Sequence, residues 1–424
     1  MAPELNYKKK IIVFATLILT LSSCFYDVRE NLEIKSIGIS DLNELVKDLN
    51  LKSFNTIKDT VEIPITAWFG VPDDYLELEH FENLKNAGFN INNYRYQNND
   101  NVEKALNLSH QVGIKTIINS KEFPNNLSST VIRFKDHPAT AGYFIIDEPQ
   151  IQTLHIYKEI VNKITEIDNK NFNYINLLPT YGDAGTKDYN EYIYRYSTEI
   201  PLDFISFDFY PIIANWVRDD WYYNLEIIRN ISTEINKPFW AFALSTSHGN
   251  YPIPTLEHLR LQVYSNLAYG AKGIQYYTYW TITSPNFVYE SGPIDKDGSK
   301  TKVYDLVKQM NKEIKSFSHI YLTSKVKNVS HYGNIPFGTT RSSKYPDYIE
   351  SLDIRGGNAL LSEMENNENT FYMIQNTNLY NEIGIEIKAD SLTSVILKDG
   401  TIIPTKYIKE EFKLTPGDMV MFIR

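Results

Sequence analysis

Two adjacent acidic residues at the end of an apolar stretch are the strongest candidates for chemistry. The stretch reads Gly142-Tyr143-Phe144-Ile145-Ile146-Asp147-Glu148-Pro149. Pro149 forces the chain out of a strand, so the carboxyls lie where that strand ends. A carboxyl held against aromatic walls favours its neutral form, which suits it to protonate a leaving oxygen. We therefore expect Glu148 to be a general acid with Asp147 beside it. The alternative is that they cap the next helix or pair with Arg95.

Two further acids are candidates for a second catalytic carboxylate. Asp208 interrupts the apolar run Ile205-Ser206-Phe207-Asp208-Phe209-Tyr210-Pro211, and a buried carboxylate there needs partners or a purpose. A structural acid that positions Arg95 or Asn176 fits the same pattern. Glu290 lies in a long loop after Trp280, where acidic side chains are usually just solvated. The catalytic candidates are thus Glu148, Asp208 and Glu290.

A set of polar and aromatic residues falls at the carboxyl ends of predicted strands. Aromatic rings stack on sugar faces and polar groups position hydroxyls, although rings at strand ends also plug barrels. His248 either orients a sugar hydroxyl or is merely solvated. The substrate-binding candidates are Trp68, Arg95, Asp147, Asn176, Tyr210, His248 and Trp280.

Composition and spacing argue against several other kinds of site. The eight histidines are scattered and there is one cysteine, so no metal site is expected. No glycine-rich loop that would hold phosphate follows a predicted strand, so no cofactor is expected. The net charge of −10 disfavours a nucleic-acid partner, and 42% hydrophobic residues indicate a globular chain.

The elements that must position these residues alternate between strands and helices. Near-continuous apolar strands are typical of parallel strands covered on both faces. Eight strand–helix pairs in about 260 residues predict a (β/α)₈ TIM barrel. The predicted strands are Val61–Phe69, Phe89–Tyr96, Ile114–Ser120, Tyr143–Ile146, Phe172–Leu178, Phe204–Phe209, Phe239–Leu244 and Gly273–Tyr279. Their helices are Asp74–Ala87, Val102–Val112, Ser129–Phe134, Ile151–Ile167, Tyr189–Ser197, Trp221–Ile235, Leu256–Tyr269 and Val303–Ser316.

The pattern changes after about residue 320 to short β-rich runs broken by turn residues. Asp399-Gly400 between two apolar runs is a strong hairpin signal. This segment predicts a small antiparallel β-sandwich domain. The expected organisation is a signal peptide (1–23), a tether and lead-in (24–58), the barrel as catalytic domain (59–320) and the sandwich (321–424). The predicted sandwich strands are Ala359–Met364, Thr370–Gln375, Ile383–Ile387, Ser394–Leu397, Thr401–Thr405 and Met419–Ile423.

The N-terminus has the pattern of a secretion signal. Three lysines at 8–10 precede an apolar run, Ile11 to Leu21, which is too short to span a bilayer. The following Leu21-Ser22-Ser23-Cys24 resembles the lipobox of bacterial lipoproteins. That resemblance implies lipidation at Cys24 and a membrane partner through this anchor, on the periplasmic or surface face of the outer membrane. The alternative is an ordinary signal with a coincidental cysteine.

The barrel motifs together resemble the retaining TIM-barrel glycoside hydrolases. That clan ends its fourth strand in Asn-Glu, often Asn-Glu-Pro, with the Glu as acid/base; here the residues are Asp147-Glu148-Pro149. The arginine on its second strand corresponds to Arg95. The tryptophan on its eighth strand, which forms the base of the sugar subsite, corresponds to Trp280. Its sixth-strand His-x-Tyr corresponds to Asp208-Phe209-Tyr210, with aspartate for histidine. The resemblance implies glycosidase activity on a carbohydrate substrate.

The chain departs from that clan at the nucleophile. The clan has a Glu at the end of strand 7, and the corresponding position falls near Ala243, with no carboxylate between Lys237 and Tyr251. Either Asp208 or Glu290 supplies the second carboxylate, or the enzyme inverts with a more distant base, or the barrel binds glycans without cleaving them. The sequence favours a glycoside hydrolase at the cell surface, the alternative being a non-catalytic glycan-binding lipoprotein. A structural or adhesion lipoprotein that binds through the sandwich is the third hypothesis.

Overall fold

Eight parallel strands close into a barrel in the computed structural model, which describes residues 62–405 and 411–424. Each strand pairs with its neighbours in sequence, and the last pairs with the first, with Trp68 opposite Tyr277. The predicted (β/α)₈ barrel is therefore confirmed. The strands are β1 (Ile65–Trp68), β2 (Ile91–Asn93), β3 (Lys115–Ile118), β4 (Thr140–Asp147), β5 (Phe172–Leu177), β6 (Ile205–Phe207), β7 (Phe239–Leu244) and β8 (Gly273–Tyr277).

Helices follow the strands and cover the outside of the barrel. Side chains cap several of them: Asn98 accepts a hydrogen bond from the N–H of Asn101, and Thr255 from that of His258. Gly113, with φ of 71°, ends its helix in the left-handed conformation that glycine adopts easily. The helices are α1 (Leu78–Asn86), α2 (Asn99–Val112), α3 (Leu127–Phe134), α4 (Leu154–Ile167), α5 (Tyr189–Glu199), α6 (Trp221–Glu234), α7 (Leu256–Ala268) and α8 (Lys302–Ser316).

Strand ends differ from the predicted ends at the places that matter for the site. β2 stops at Asn93, three residues before its predicted end, and β8 stops at Tyr277 rather than Tyr279. β4 extends to Asp147, because Asp147 still pairs with Asn176 of β5. Hydrophobic runs mark where a strand can form, but pairing with the neighbouring strands decides where it stops.

Aromatic side chains fill the barrel interior beneath its carboxyl end. The Trp68 ring lies 5.4 Å from Phe144, 5.7 Å from Tyr174 and 5.2 Å from Phe242, measured between centroids. The Tyr174 hydroxyl donates to Gln275 at 2.5 Å. These contacts close the barrel core and give the carboxyl-end cavity a rigid floor.

The C-terminal region forms two antiparallel sheets, which confirms the predicted β-sandwich. After a short helix, α9 (Ser318–Thr323), come β9 to β17. A six-stranded sheet has the order β9-β11-β12-β17-β14-β15, and a three-stranded sheet the order β10-β13-β16. The strands are β9 (Lys325–Tyr332), β10 (Ile349–Arg355), β11 (Ala359–Glu365), β12 (Thr370–Asn376), β13 (Ile383–Ala389), β14 (Ser394–Ile396), β15 (Ile402–Pro404), β16 (Phe412–Leu414) and β17 (Met419–Ile423).

The six-stranded sheet is buried on both faces. Along β12, Phe371 and Met373 pack into the barrel core, whereas Tyr372 and Ile374 pack against the smaller sheet. Alternate side chains of a strand point to opposite faces, so one strand serves two cores. The predicted Asp399-Gly400 hairpin joins β14 to β15, and Gly400 has the positive φ, 86°, that this turn requires.

The sequence did not predict three of the sandwich strands, namely β9, β10 and β16. Burial in β9 and β10 is interrupted by exposed polar side chains, so neither contains the continuous apolar run that marked the others. β16 has three residues and depends on pairing with β13. Such strands form because a neighbour presents unpaired backbone groups, a cause that lies outside their own sequence.

A cluster of buried charges joins the barrel to the sandwich, and we call it the interface ion cluster. Arg260 of α7 binds Glu313 of α8 with contacts of 3.0 and 2.5 Å, and its guanidinium lies 3.7 Å from Asp418. Lys398 contacts Asp418 at 2.6 Å, and the Tyr264 hydroxyl donates to Glu313 at 2.7 Å. Each acid in the cluster therefore faces at least one cation.

The predicted signal peptide, the lipidation residue Cys24 and the tether through residue 58 lie outside the described residues. Among the residues that are described, no helix has the length and apolar character needed to cross a bilayer.

Candidate active site

The end of β4 places two carboxyls at the carboxyl end of the barrel. Asp147 is the last residue of the strand, and Glu148 follows with φ of 48°, in the left-handed region that a non-glycine residue seldom adopts. The Glu148 N–H donates to the Asn176 carbonyl at 2.9 Å, which fixes this turn against β5. Strained backbone of this kind is concentrated at functional sites, because the surrounding structure must stabilise it.

Asn176, at the end of β5, connects the acids of β4 to the acid that follows β6. Its amide nitrogen donates to Asp208 at 2.9 Å and to Asp147 at 3.1 Å. Its amide oxygen accepts a hydrogen bond from Ser206 at 2.9 Å, which fixes the orientation of the amide. Both the nitrogen and the oxygen of the Asn176 amide are hydrogen-bonded, so this side chain holds Asp147 and Asp208 at a defined separation.

Glu148 and Asp208 form a hydrogen-bonded carboxyl pair, which we call the carboxyl pair. Burial raises the pKa of Glu148, and the hydrogen bond with Asp208 opposes that rise. Burial, then the charges of Glu148 and Asp147, raise the pKa of Asp208 well above its usual range. Two carboxyls in contact cannot easily both ionise, so the pair retains one shared proton at a pH where isolated carboxyls have lost theirs.

Asp147 completes the acidic side of the site. Loss of hydration inside the barrel mouth raises its pKa to about 6; the hydrogen bond from Asn176 lowers it and the charge of Glu148 raises it further. Solvent still reaches the carboxyls of Asp147 and Glu148 through the mouth, whereas Asp208 is 7% exposed. In the described part of the chain, no group of three His, Cys, Asp or Glu side chains has the arrangement of a metal site.

A cavity of about 240 Å³ contains the three acids and a wall of aromatic side chains. The acids and Asn176 come from β4 to β6, while Trp68, Phe242 and Tyr277 come from β1, β7 and β8. No lysine or arginine occurs among the described residues that line it. The lining residues are Trp68, Asp147, Glu148, Asn176, Tyr181, Asp208, Tyr210, Phe242, His248, Tyr251 and Tyr277.

His248 lies on the aromatic side, in a two-residue strand, Ser247–His248, that pairs with Tyr289–Glu290. Its ring stacks on Tyr289 at 4.7 Å and lies 4.8 Å from the Tyr251 ring. Burial lowers the pKa of His248, so the imidazole is neutral at pH 7. A hydrogen bond with the backbone of Thr246 opposes this lowering.

Six predicted site residues besides Glu148 line this cavity, and three predicted residues do not. The six are Trp68, Asp147, Asn176, Asp208, Tyr210 and His248. The structure places Arg95, Glu290 and Trp280 elsewhere.

Arg95 is exposed and does not line the cavity, contrary to its predicted role at the strand end. β2 ends at Asn93, which is 2% exposed and lies within 3.5 Å of the Asn119 amide. Beyond Asn93, Tyr94 packs on Phe69 and the Tyr96 ring is buried. The premature end of β2 therefore leaves Arg95 pointing to solvent.

Glu290 and Trp280 are also displaced from their predicted positions at the cavity. Tyr289 is 8% exposed and stacks on His248, so the next side chain, Glu290, points the opposite way and is exposed. Trp280 is 2% exposed and packs 4.6 Å from Tyr75. Tyr277, the last residue of β8, supplies the eighth-strand aromatic ring of the cavity instead.

Four residues that line the cavity were not predicted from the sequence: Tyr181, Phe242, Tyr251 and Tyr277. Phe242 and Tyr277 alternate with outward residues on β7 and β8, a signal that was present in the strand pattern. Tyr181 belongs to the loop after β5, where the guanidinium of Arg218 lies 3.8 Å from its ring. Loop residues such as Tyr181 and Tyr251 carry no periodic signal.

The end of β7 carries no acid. Ala243 points outward into the core beneath the helices, and Phe242 and Leu244 are the inward residues at this end. Leu244 packs with Tyr210 and Phe242 and is 4% exposed. The folded site therefore lacks a glutamate at the end of β7, as the sequence predicted.

Comparison with known proteins supports the class of fold. Residues 149–317 match the glycosyl hydrolase family 42 model, described as beta-galactosidase, and the match begins directly after Glu148. No curated protein matches the sequence. A beta-galactosidase from Bacillus circulans sp. alkalophilus is 9% identical over 86% of this chain and 99% of its own, with a TM-score of 0.60. A family 5 glycoside hydrolase from Bacteroides vulgatus is 12% identical over 85% of this chain and 88% of its own, with a TM-score of 0.52.

A beta-galactosidase from Marinomonas ef1 is 11% identical over 61% of this chain, with a TM-score of 0.49, and the matched part spans only 60% of that protein. At these identities the likeness to the Bacillus circulans and Bacteroides vulgatus structures shows the fold alone. Together with the family match, it confirms the predicted resemblance to TIM-barrel glycoside hydrolases.

Proposed function

We propose that the chain is a glycoside hydrolase in which Glu148 is the general acid. The observation that carries the proposal is the carboxyl pair of Glu148 and Asp208 inside an aromatic-walled cavity at the carboxyl end of a barrel. Active sites of TIM-barrel enzymes lie at this end. The family match over 149–317 and the shared fold support the reaction class.

The carboxyl pair provides the proton that glycoside cleavage needs. The glycosidic oxygen leaves poorly as an alkoxide, so a proton must reach it as the bond to the anomeric carbon breaks. Glu148 is the more solvent-accessible member of the pair, so it faces the substrate and donates the shared proton, while Asp208 lies buried beside it. The proton returns to Glu148 from the water molecule that completes the hydrolysis.

The substrate is proposed to be a carbohydrate bound end-on. The cavity of about 240 Å³ is smaller than the pockets of about 300–1,000 Å³ typical of drug-sized ligands. That size suits one sugar ring, with Trp68 or Tyr277 against its face and His248 near a hydroxyl. The rest of an oligosaccharide would extend out of the mouth.

The test is Glu148→Gln, which keeps the shape of the side chain and removes its acid. We expect binding of sugar to persist and turnover of aryl glycosides with poor leaving groups to fall about 10³-fold, within the range for a lost general acid. Leaving groups that need no proton should be affected far less. Glu290→Gln is the matched control, because Glu290 lies outside the cavity, and it should retain wild-type turnover. Near-normal hydrolysis by Glu148→Gln would remove Glu148 from the mechanism.

A glycan-binding role without cleavage is the second candidate, and the apolar end of β7 favours it. Leu244 occupies the inward position at this end of the strand, and no acid faces the carboxyl pair across the cavity from the described parts of β1, β7 or β8. This candidate predicts sugar affinity by calorimetry with no release of reducing ends from any glycan tested. Release of reducing ends that depends on Glu148 would exclude it.

We also propose that the protein is tethered to the outer membrane through Cys24. The support is the Leu21-Ser22-Ser23-Cys24 sequence after a basic and apolar leader, together with the absence of any other cysteine. Mass spectrometry of the protein from membranes should find an N-terminal lipid on Cys24, and Cys24→Ala should abolish membrane retention. A leader cleaved elsewhere, with an unmodified Cys24, would overturn this proposal.

A further inference from the structure

The carboxyl pair is too close to work as the two carboxylates of an ordinary glycosidase. Such pairs stand about 5–5.5 Å apart in retaining enzymes and about 6.5–9.5 Å apart in inverting enzymes, so that a sugar, or a sugar and a water, fits between them. Glu148 and Asp208 are hydrogen-bonded to each other. Neither can attack the face of a sugar ring opposite to the other.

Among the described residues, none on the opposite side of the cavity is a carboxylate that could act as the second catalytic group. Within residues 62–405 and 411–424, the side chains that reach the cavity from β1, β7 and β8 are Trp68, Phe242 and Tyr277, and the β7 end is closed by Leu244. Burial raises the pKa of Tyr210 and Tyr277, which makes these phenols poor nucleophiles. A hydrolase built this way must therefore obtain its nucleophile from elsewhere.

We propose that the substrate supplies the nucleophile, and that this chain cleaves β-glycosides of 2-acetamido-2-deoxy sugars. The inference rests on the proposed glycosidase function and names its substrate class. It is drawn from the one-sided placement of Asp147, Glu148 and Asp208 against an aromatic wall. Neighbouring-group participation of this kind is known chemistry for glycoside hydrolysis, and proximity within one molecule makes it efficient.

The reaction balances with the groups in the cavity. The acetamido oxygen attacks the anomeric carbon, the bond to the leaving oxygen breaks, and the Glu148 proton passes to that oxygen. The amide nitrogen then shares a positive charge in a cyclic oxazolinium ion. Water next attacks the anomeric carbon and gives its proton to Glu148, and the carbon–oxygen bond of the ring breaks to restore the acetamido group. The product keeps the configuration of the substrate.

Asp147 is the residue placed to hold the acetamido N–H. One of its oxygens accepts the Asn176 hydrogen bond at 3.1 Å, and the residue lines the cavity and is solvent-exposed. It comes directly before Glu148 in the chain, so the two carboxyls reach adjacent parts of one sugar. With a pKa of about 6, Asp147 is ionised at neutral pH and stabilises the positive charge that develops on the amide.

The aromatic wall suits the methyl and carbonyl ends of the acetamido group. Tyr210 lies 6.3 Å from Phe242 and 5.4 Å from Tyr277, between ring centroids, which forms an apolar recess next to polar hydroxyls. Burial above all raises the pKa of both tyrosines, with smaller contributions from the charge of Asp208 at Tyr210 and from the hydrogen bond with Tyr289 at Tyr277. The phenols therefore remain neutral donors, and one of them is available to orient the carbonyl oxygen.

The first experiment compares matched aryl β-glycosides on the wild-type protein: the 2-acetamido sugars of gluco and galacto configuration against the same sugars with a 2-hydroxyl. We expect kcat/KM to be at least about 100-fold higher for the acetamido series. Replacing acetyl by trifluoroacetyl weakens the carbonyl oxygen as a nucleophile and should lower kcat at least about tenfold. NMR should show the released sugar first as its β-anomer.

The outcomes separate the two proposals. Cleavage of the 2-hydroxyl series alone, no effect of fluorination, or release of the α-anomer would overturn the acetamido inference and leave the glycosidase function intact. Cleavage of neither series, nor of chito-oligosaccharides or galactosides, by folded protein would overturn both.

A variant series locates the effect at Asp147. Asp147→Asn should lower kcat on the acetamido substrate about 100-fold while KM changes little, because the lost charge matters mainly after the carbonyl has attacked. Wild-type kcat should fall below pH 6 as Asp147 takes up a proton, and the variant should not show this fall. Glu290→Gln is the control, because Glu290 is exposed and lies outside the cavity. It should change neither kcat nor the dependence of kcat on pH. Equal kcat for Asp147→Asn and wild type would overturn the assignment, provided the variant unfolds at the wild-type temperature.

Discussion

The molecule contains two clusters of acids, and they differ in what surrounds them. At the barrel mouth, Asp147, Glu148 and Asp208 share hydrogen bonds with Asn176 and with each other, and no cation lines their cavity in the described residues. In the interface ion cluster, Glu313 and Asp418 contact Arg260 and Lys398.

The pKa directions follow this difference. Burial raises the pKa of Asp147 and Asp208, and nothing positive offsets it. Burial also pushes the pKa of Glu313 upward, but the hydrogen bond and the charge of Arg260 outweigh it and the pKa is lowered. A buried acid with a cation serves to join two domains. A buried acid without one keeps a proton that it can donate, which is the property a catalyst needs.

The largest expected effect comes from removing the cation of the interface ion cluster. Arg260→Met leaves Glu313 and Asp418 buried with one less partner, and breaking a buried pair from one side costs about 3–5 kcal/mol. We expect a large drop in the thermal unfolding midpoint, measured by calorimetry at pH 7.

The control for this variant is Arg195→Met on α5. Arg195 pairs with Glu191 and Glu199 at the surface, where solvent screens an ion pair and it contributes little to stability. If both variants lowered the midpoint equally, the interface ion cluster would have no special role in joining the domains, and the contrast with the barrel mouth would fail.

Replacing an acid at the barrel mouth should change the stability by less, and in the opposite direction. The folded pKa of Asp208 is raised above its unfolded value, so its contribution to stability is present at low pH and is lost as pH rises through the folded pKa. Asp208→Asn has no proton to lose and should be more stable than wild type at pH 8. The difference should shrink toward pH 4.

Asp168→Asn is the matched control with the opposite sign. Asp168 is also buried, but hydrogen bonds from Tyr143, Asn171 and the backbone outweigh burial and lower its pKa. Its contribution is present at neutral pH and is lost as pH falls, so the variant should be less stable than wild type at pH 8. If, at pH 8, Asp168→Asn were more stable than wild type or Asp208→Asn less stable, the distinction between paired and unpaired acids would be contradicted.

The fold could be predicted because its signals are local. Apolar runs of strand length, separated by amphipathic helices with caps such as Gly113, recur eight times and indicate a parallel barrel. The sandwich was marked by turn residues such as Asp399-Gly400. Short strands such as β16 were missed, because they are stabilised by the strand they pair with rather than by their own composition.

The sequence predicted the site residues that directly end or interrupt a clearly apolar strand. Asp147, Glu148 and Asp208 interrupt or end apolar runs, so their position over the barrel mouth follows from the strand itself. Arg95, Glu290 and Trp280 depended on a strand end or on the conformation of a loop, and the structure places them outside the cavity. The buried Glu313 on α8 showed no signal, because a partner on another helix is invisible in the sequence.

The sequence by itself determined the barrel, the appended sandwich and the presence of acids at the end of β4 and after β6. These follow from hydrophobic burial and backbone preference, which act over a few residues. Only the tertiary structure decided that Glu148 and Asp208 touch, that Asn176 holds Asp147 beside them, and that Tyr277 rather than Trp280 faces the substrate. Those facts depend on how strands from distant parts of the chain align, and the charge state of each carboxyl depends in turn on the neighbours that this alignment provides.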